Sequence, residues 1–209
     1  MANLRPFRDY DEKDVINLYA LDTGTNMDGF PNYATSWDGR VTKGTLVRLS
    51  DAGWHNDDNL DLLGSAGTLD PQNVTSQRYG VTAKVEIADA NGRILGMLLN
   101  DVAVLDENGE QLKFNPRKAS ELEAVIDGQA VPVVTRGLFL IESAALSGET
   151  FSAGDRLTVA NNGEFTSTGI AAADTIVGLA MGSNTAGASS NAGDLHLIKL
   201  DVTHHGASS

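Results

Sequence analysis

The apolar residues of this chain occur in short runs, and turn residues separate each run from the next. The runs at residues 45–50, 81–87, 94–99 and 175–181 each have the length of a strand, and several alternate apolar with polar side chains. Strict alternation is the period of a strand with one buried face. The 22 glycines, with many Asn, Asp, Ser and Thr residues, supply turns along the whole chain. The pattern excludes a coiled coil or an array of long helices and predicts a mainly β fold.

The predicted architecture is a β-sandwich or β-barrel domain built of two similar strand sets, with at most one or two short helices. Residues 1–42 mix charges with single aromatics and predict an extended N-terminal arm. Residues 43–203 form the β-rich core domain, with a loop insertion at 54–79 and a possible short helix at 116–126. Residues 204–209 form a flexible tail.

One pattern of strands occurs twice. Each round has a glycine-led strand, an Ile-x-Gly strand and an alternating apolar strand. In that order, the rounds cover residues 43–47, 94–99 and 130–137, and then residues 153–159, 176–181 and 193–200. The spacings differ, so this is no solenoid; it predicts two similar β-layers or two halves of one barrel. Gly96 and Gly178 lie inside apolar runs and predict bulges or close backbone approaches.

Two hairpins are expected from turn residues between strand-length runs. Residues 81–87 and 94–99 flank an Asn-Gly pair, which suits a tight two-residue turn. Residues 102–105 and 110–114 flank an Asp-Glu-Asn-Gly turn in the same way. The sequence therefore pairs each of these runs with its neighbour along the chain.

The helix candidate begins after Asn115, a suitable N-cap residue, with Pro116 at the first helical position. Leu122, Val125 and Ile126 have helical spacing, so one face would pack. Residues 121–126 also fit a strand, and the sequence leaves both readings open.

Charge and composition remove several classes of function. The chain of 209 residues has 15 basic and 28 acidic residues and a net charge of −13, so it repels phosphate backbones and binding to nucleic acid is not expected. It contains no cysteine, which excludes disulfides and thiolate chemistry. The apolar runs are too short to cross a bilayer, so no membrane partner is expected. The first residues have no apolar signal-peptide core, which predicts that the protein is made and kept in the cytoplasm.

No motif for catalysis stands out. The chain has no nucleophile elbow, no phosphate-binding loop and no dinucleotide fingerprint, and with 28 acidic residues a suggestive carboxylate pair arises by chance. We expect no enzyme and no cofactor. Two interpretations stay open for His55 and the carboxylates up to Asp61: a weak divalent-cation site and a solvated loop. Their spacing is not that of an EF-hand. His196 is read as a residue on the polar face of a strand.

Aromatic residues in the first forty positions are the candidate binding groups. Residues 24–39 carry aromatics without periodicity, and this apolar surface should lie against the chain's own domain or against a neighbouring chain. The candidate partner-binding residues are Arg5, Phe7, Arg8, Tyr10, Tyr19, Phe30, Tyr33 and Trp37. The two arginines would pair with acidic groups. Packing inside the chain's own domain is the competing interpretation, above all for Tyr19 and Trp37.

Three stretches of the last third resemble the small β-rich decoration (cement) proteins of tailed-phage heads. These are Ser-Gly-Glu-Thr-Phe-Ser-Ala-Gly-Asp-Arg-Leu-Thr-Val from residue 147, Ile-Val-Gly-Leu-Ala-Met from residue 176, and Ala-Gly-Asp-Leu-His-Leu-Ile-Lys-Leu from residue 192. The opening Leu-Arg-Pro-Phe-Arg-Asp-Tyr is similar to structural proteins of phage virions.

The resemblance implies a structural virion protein on the capsid exterior. It would bind the major capsid protein of an expanded capsid, bridge neighbouring subunits and associate with itself as a homotrimer. The alternative is a head-fibre or tail-associated adhesin that binds a host surface glycan, for which 6% aromatic residues is a modest supply.

Overall fold

The computed structural model describes residues 4–21, 40–50, 84–89, 94–126, 129–142, 146, 151–167, 175–183 and 195–203. Over these residues the protein is mainly β, as predicted, and its curled sheets form a β-sandwich or barrel. The insertion at 54–79, the tail at 204–209 and the possible cation site at 55–61 lie outside the described residues.

The described strands fall into three sheets. The strands are β1 (Leu4–Asp9), β2 (Val15–Ile16), β3 (Ala20–Leu21), β4 (Arg40–Val41), β5 (Leu46–Leu49), β6 (Lys84–Ile87), β7 (Ile94–Leu98), β8 (Asp101–Ala103), β9 (Ala124–Ile126), β10 (Val133–Val134), β11 (Arg136–Glu142), β12 (Arg156–Val159), β13 (Phe165–Thr166), β14 (Ile176–Ala180) and β15 (Leu195–Thr203). The first sheet has the order β2-β10-β7-β5-β6-β3, the second β1-β11-β15-β14-β12-β13, and the third β4-β8-β9. Neighbours are antiparallel except in the pairs β3–β6 and β8–β9.

The sheets stack in layers because neighbouring residues of a strand point to opposite faces. One core lies between the first and second sheets and includes Met97, Phe139 and Ile198. A second core, with Val47, lies between the first and third sheets. The single described α-helix, α1 (Pro116–Glu121), covers the far face of the third sheet through Ala119. The order of layers is therefore helix, third sheet, first sheet and second sheet.

The two predicted strand sets share one topology. The order β10-β7-β5-β6 in the first sheet recurs in the second as β15-β14-β12-β13. The register recurs as well, since Val47 lies opposite Gly96 and Leu157 opposite Gly178. We call these four-strand units the first and second repeats.

The hydrogen bonds around the glycine-led strands match between the repeats. The Gly44 N–H donates to the Leu98 carbonyl oxygen at 2.8 Å, and the Gly154 N–H donates to that of Ala180 at the same distance. Both glycines have positive φ, 92° and 91°, which is why glycine begins each strand.

The glycines predicted at close backbone approaches occupy such positions. A Cβ atom on Gly96 would overlap the carbonyl oxygen of Val134, and one on Gly178 would overlap that of Lys199. In both repeats the third strand therefore passes directly against the glycine of the middle strand.

One difference between the repeats concerns the connection after the glycine-led strand. In the second repeat the 3-10 turn Asn161–Gly163 joins β12 to β13, and the Ala160 N–H donates to the Glu164 carbonyl oxygen at 2.7 Å. In the first repeat the same bond joins Ser50 and Lys84, at 3.3 Å. Residues 51–83 thus stand where the other repeat has a tight turn.

The hairpin predicted between residues 81–87 and 94–99 is wrong. Strands β6 and β7 do not pair, because β5 lies between them and bonds to both. The sequence pattern pairs β6 with β7, the next described strand along the chain. In the structure β6 pairs with β5, which precedes it.

The second predicted hairpin forms only near its turn. Leu105 and Gln111 make a single antiparallel bridge, and residues Leu112–Phe114 continue as a 3-10 turn rather than a strand. The helix predicted over 116–126 ends at Glu121, and its last residues, Ala124–Ile126, form β9. The strand reading that the sequence left open thus holds for the second half.

The carboxylate of Asp106 holds the turn between these elements together. Its Oδ1 atom accepts from the backbone N–H groups of Glu110 and Asn108, each at 2.8 Å. The bond from Glu110 is the main reason why the pKa of Asp106 lies below its ordinary value.

This turn predicts a pH-dependent contribution to stability. A carboxyl group with a lowered pKa in the folded state stabilises the fold above its ordinary pKa of about 4, and that stabilisation is lost as the pH falls through the folded value. We expect Asp106→Asn to lower the urea midpoint at pH 7 and the difference from wild type to vanish in acid. Glu110→Gln, an exposed neighbour, is the control. A difference that is unchanged at pH 2 to 3, about one unit or more below that ordinary value, would contradict this account.

The N-terminal segment is extended, and over residues 4–21 it pairs with the core sheets. Strand β1 pairs with β11, β2 with β10, and β3 with β6. Its described part is thus built into the domain rather than separate from it.

Candidate interaction surface

The described N-terminal segment runs along the edges of two sheets. Strand β1 is the edge strand of the second sheet, and β2 is an edge strand of the first. The 3-10 turn Glu12–Asp14 joins them. Beside it, the Asp14 carbonyl oxygen accepts from the Thr135 N–H at 2.8 Å and from the Thr135 hydroxyl at 3.1 Å. Because Thr135 lies where the chain passes from β10 to β11, this contact ties the segment to the junction of both sheets.

An edge strand offers backbone groups to a partner. Among the described residues, no strand pairs with the outer side of β1 or β2. Such an edge accepts an added strand from another chain through main-chain hydrogen bonds. The register of β1 shifts between Leu4 and Arg8, and an irregularity of this kind limits how far an added strand can pair.

Among the candidate partner-binding residues, Tyr10 has a side chain that packs on a core residue and is also exposed. Its ring stacks on Phe139 with centroids 5.9 Å apart and ring planes 23° apart, while 37% of the residue remains exposed. Leu18, in the connection between β2 and β3, is 47% exposed. Tyr19 is half-buried and packs against the core between the first and third sheets.

The other predicted anchors divide into two groups. Arg5, Phe7 and Arg8 belong to β1, so their backbone positions lie on the edge strand. Phe30, Tyr33 and Trp37 lie outside the described residues. The structure thus brings Arg5, Phe7, Arg8 and Tyr10 onto one sheet edge and places Tyr19 apart from them.

The described charges beside Tyr10 are mainly acidic. Asp9, Asp11 and Glu12 are exposed, with Lys13 among them. Asp11 caps the 3-10 turn, since its Oδ1 atom accepts from the Lys13 N–H at 3.1 Å. This part of the edge therefore suits a partner with basic side chains.

A concave region lies beside α1. It is an open cleft of about 520 Å³, and Asn100, Ser120, Glu123 and Gln129 supply its polar groups. Glu123 has a φ of 51°, which follows from its place just after the helix, where its N–H donates to the Ser120 carbonyl oxygen at 3.2 Å. Its carboxylate accepts from Lys43 Nζ at 2.8 Å. Amide, hydroxyl and carboxylate groups in this arrangement suit the hydroxyls of a neutral polar ligand.

One ion pair fixes the helix beside this cleft to the turn at Asp106. Lys118 Nζ donates a short hydrogen bond to the Glu107 carboxylate. That bond lowers the pKa of Glu107 and raises the pKa of Lys118, so both groups stay charged at neutral pH. Its role is structural, because it holds two local elements together.

His196 is buried, which corrects its assignment to the polar face of β15. Its ring makes an edge contact with Phe151, with centroids 5.4 Å apart, and 8% of the residue is exposed. It shares the inner face with Ile198 and Leu200, so Leu195 and Leu197 point outward. Sequence reasoning therefore missed an apolar surface on the outside of the second sheet.

We call this surface the outer leucine face. It comprises Leu138 and Leu140 on β11, Leu195 and Leu197 on β15, and Leu179 and Met181 at the end of β14. Leu195, Leu179 and Met181 are 47%, 37% and 48% exposed, and the other three are half-buried. Since both faces of these strands are apolar, the strand period alone does not say which one faces inward.

Within the described ranges, no three His, Asp or Glu residues cluster closely enough to hold a metal ion. None of the helices in the described part of the chain has the length and apolar character needed to cross a membrane. The sequence matches no model of a known protein family and no curated protein.

Proposed function

We propose that this protein is a structural component of a phage virion that binds the outer surface of the expanded capsid and bridges neighbouring capsid subunits. Its partner is the major capsid protein, and the protein associates with itself on the capsid. The observation that carries the proposal is the edge position of residues 4–16, which we call the N-terminal edge segment. This segment offers a neighbouring chain the backbone groups of two edge strands, the exposed ring of Tyr10 and the charged residues beside it.

The β-sandwich suits this role because its edges are rigid. An added strand gains main-chain hydrogen bonds at an edge that its own sheet already holds in place. Tyr10 is stacked on the core residue Phe139, so little side-chain freedom is lost when a partner covers it. Modest contacts of this kind, repeated by capsid symmetry, give a large combined affinity.

Selective binding to one capsid state would stabilise that state. A protein that binds the expanded shell and not its precursor adds its binding free energy to the expanded form alone. A net charge of −13 is compatible with a place outside a shell filled with DNA.

The test is binding of the purified protein to expanded and unexpanded capsids of the virus that encodes it, with point variants of the edge segment. Removing residues 2–40 would take away β1, β2 and β3, so a deletion would also damage the sheets. We expect Tyr10→Ala to raise the dissociation constant for expanded capsids by about tenfold or more, as for an aromatic anchor at an interface.

The matched control is Phe114→Ala, which removes an aromatic side chain that is 75% exposed beside α1. It should bind like the wild type. If Tyr10→Ala folds and decorates capsids as tightly as Phe114→Ala, the edge segment is not the binding site.

The cleft beside α1 favours the adhesin alternative. Its polar groups are of the kinds that bind sugar hydroxyls, and the exposed Phe114 precedes the helix that lines it. Binding to neither form of capsid, with retention on an immobilised glycan column, would support this second function.

A further inference from the structure

The second sheet is the outermost layer of the fold, and its outer side is apolar. The first and third sheets are covered on the faces that meet their neighbours, and the second sheet packs its inner face on the first. Its outer side carries the outer leucine face.

The apolar side chains of this face form one patch across three adjacent strands. Leu140 lies opposite Leu197 on the neighbouring strand. The Met181 N–H donates to the Leu197 carbonyl oxygen at 2.9 Å, which brings the third strand alongside. Side chains opposite each other on one sheet face stand about 5 Å apart, so these groups are in mutual contact.

The first repeat shows what the equivalent positions do when they are covered. By the shared register, Leu179 and Met181 correspond to Met97 and Leu99. Met97 is fully buried and Leu99 is 3% exposed, and both pack against the second sheet. In the first repeat this face therefore packs on a sheet of the same construction.

The charges around the face let another acidic chain approach. By the register, Arg136, Arg156 and Lys199 share the outer side of the second sheet with Asp9 and Asp201, and Glu142 beside Leu195 is only 9% exposed. This side is therefore not dominated by acidic groups, in a chain with a net charge of −13. Arg136 and Asp201 already pair at 3.2 Å. Repulsion between two copies is therefore weaker here than the net charge of the whole chain implies.

From the continuous patch, its buried counterpart in the other repeat and the local charge balance, we infer that the outer leucine face binds a second copy of this chain. Leu140, Leu197 and Met181 form the centre of the contact. Leu138, Leu179 and Leu195 extend it, with Lys199 between Leu138 and Leu179. This interface borders β1 at Asp9 but does not use the outer edge of that strand, which stays open to another partner.

The experiment measures the mass of the full-length protein in solution by light scattering over a dilution series. The wild type should have a mass that is a multiple of the chain mass of 22.0 kDa, and that mass gives the number of copies. The double variant Met181→Glu with Leu195→Glu should be a monomer, since two charges within an apolar contact raise the dissociation constant by about a hundredfold or more. Both residues are exposed in the single chain, so their replacement spares the core.

Leu49→Glu is the matched control, because Leu49 is 45% exposed on a strand of the first sheet. It should associate like the wild type. A wild type that stays monomeric at every concentration overturns the inference, as does a double variant that associates unchanged. A monomeric wild type whose face variants lose capsid binding assigns the face to a capsid partner instead and also overturns it.

A second readout does not depend on the double variant folding. Because the chain contains no cysteine, Leu195→Cys provides a single site for an environment-sensitive fluorophore. Its emission should shift on dilution as the copies separate, whereas the same label at Leu49→Cys should not respond. A label at residue 195 that is insensitive to concentration contradicts self-association through this face.

Discussion

Alanine at Gly178 or Gly96 is expected to destabilise the protein by about 3 kcal/mol or more, because the added methyl group meets backbone rather than a movable side chain. In each case the new Cβ atom would lie less than 3.0 Å from a carbonyl oxygen of the adjacent strand. That strand would have to shift, and its hydrogen bonds to the middle strand would weaken. The measurement is the urea midpoint, with the slope of the transition checked for a change in the folded state.

Gly182→Ala is the matched control, since a Cβ atom there would have no neighbour within 4 Å. It should change stability by no more than about 0.5 kcal/mol. Because Gly96 and Gly178 hold equivalent places in the two repeats, their variants should lose similar amounts of stability. A loss at one glycine and none at the other would contradict the equivalence of the repeats.

Phe139→Ala is the second variant with a large expected effect. Phe139 is fully buried between the first and second sheets and also carries the ring of Tyr10. Loss of a buried phenylalanine leaves a cavity and lowers stability by about 3–5 kcal/mol, a large share of the total for a domain of this kind. Thermal and urea unfolding should both show the loss.

Phe114→Ala removes the same side chain from an exposed position and should be nearly neutral, within about 0.5 kcal/mol. Equal losses for the two variants would mean that Phe139 does not lie in the core.

Features set by a few neighbouring residues could be predicted from the sequence. Asn115 caps α1, with its side-chain oxygen accepting from the Lys118 N–H at 3.2 Å, and Pro116 occupies the first turn. Gly96 and Gly178 stand where two backbones meet. In each case the local chemistry leaves few alternatives, because a cap needs a short polar side chain and a close backbone approach needs the absence of a Cβ atom.

Choices among distant partners could not be predicted in this way. Strand β6 had an apparent partner next to it along the chain, but β5 pairs with both β6 and β7. The buried face of β15 is a second example: His196 faces the core, while Leu195 and Leu197 face outward. Alternation gives the period of a strand, but the face that turns inward depends on the sheet that packs against it.

The candidate surface was only partly accessible to sequence reasoning for the same reason. The aromatic and basic residues near the start were recognisable, yet the value of Tyr10 depends on Phe139, which comes from a strand far along the chain. The outer leucine face gave no separate signal, since its residues alternate with others that are equally apolar.

The turn Asn161–Gly163 also has a consequence for unfolding, because it connects the two repeats. The Gly163 N–H donates to the Ala88 carbonyl oxygen at 2.8 Å, and a Cβ atom on Gly163 would lie 2.5 Å from Cγ2 of Thr45. This turn of the second repeat thus packs directly against β5 of the first repeat and the residue that follows β6, with no space for an added methyl group. Because the two repeats also share one apolar core, we expect the chain to unfold in a single cooperative transition rather than in two stages.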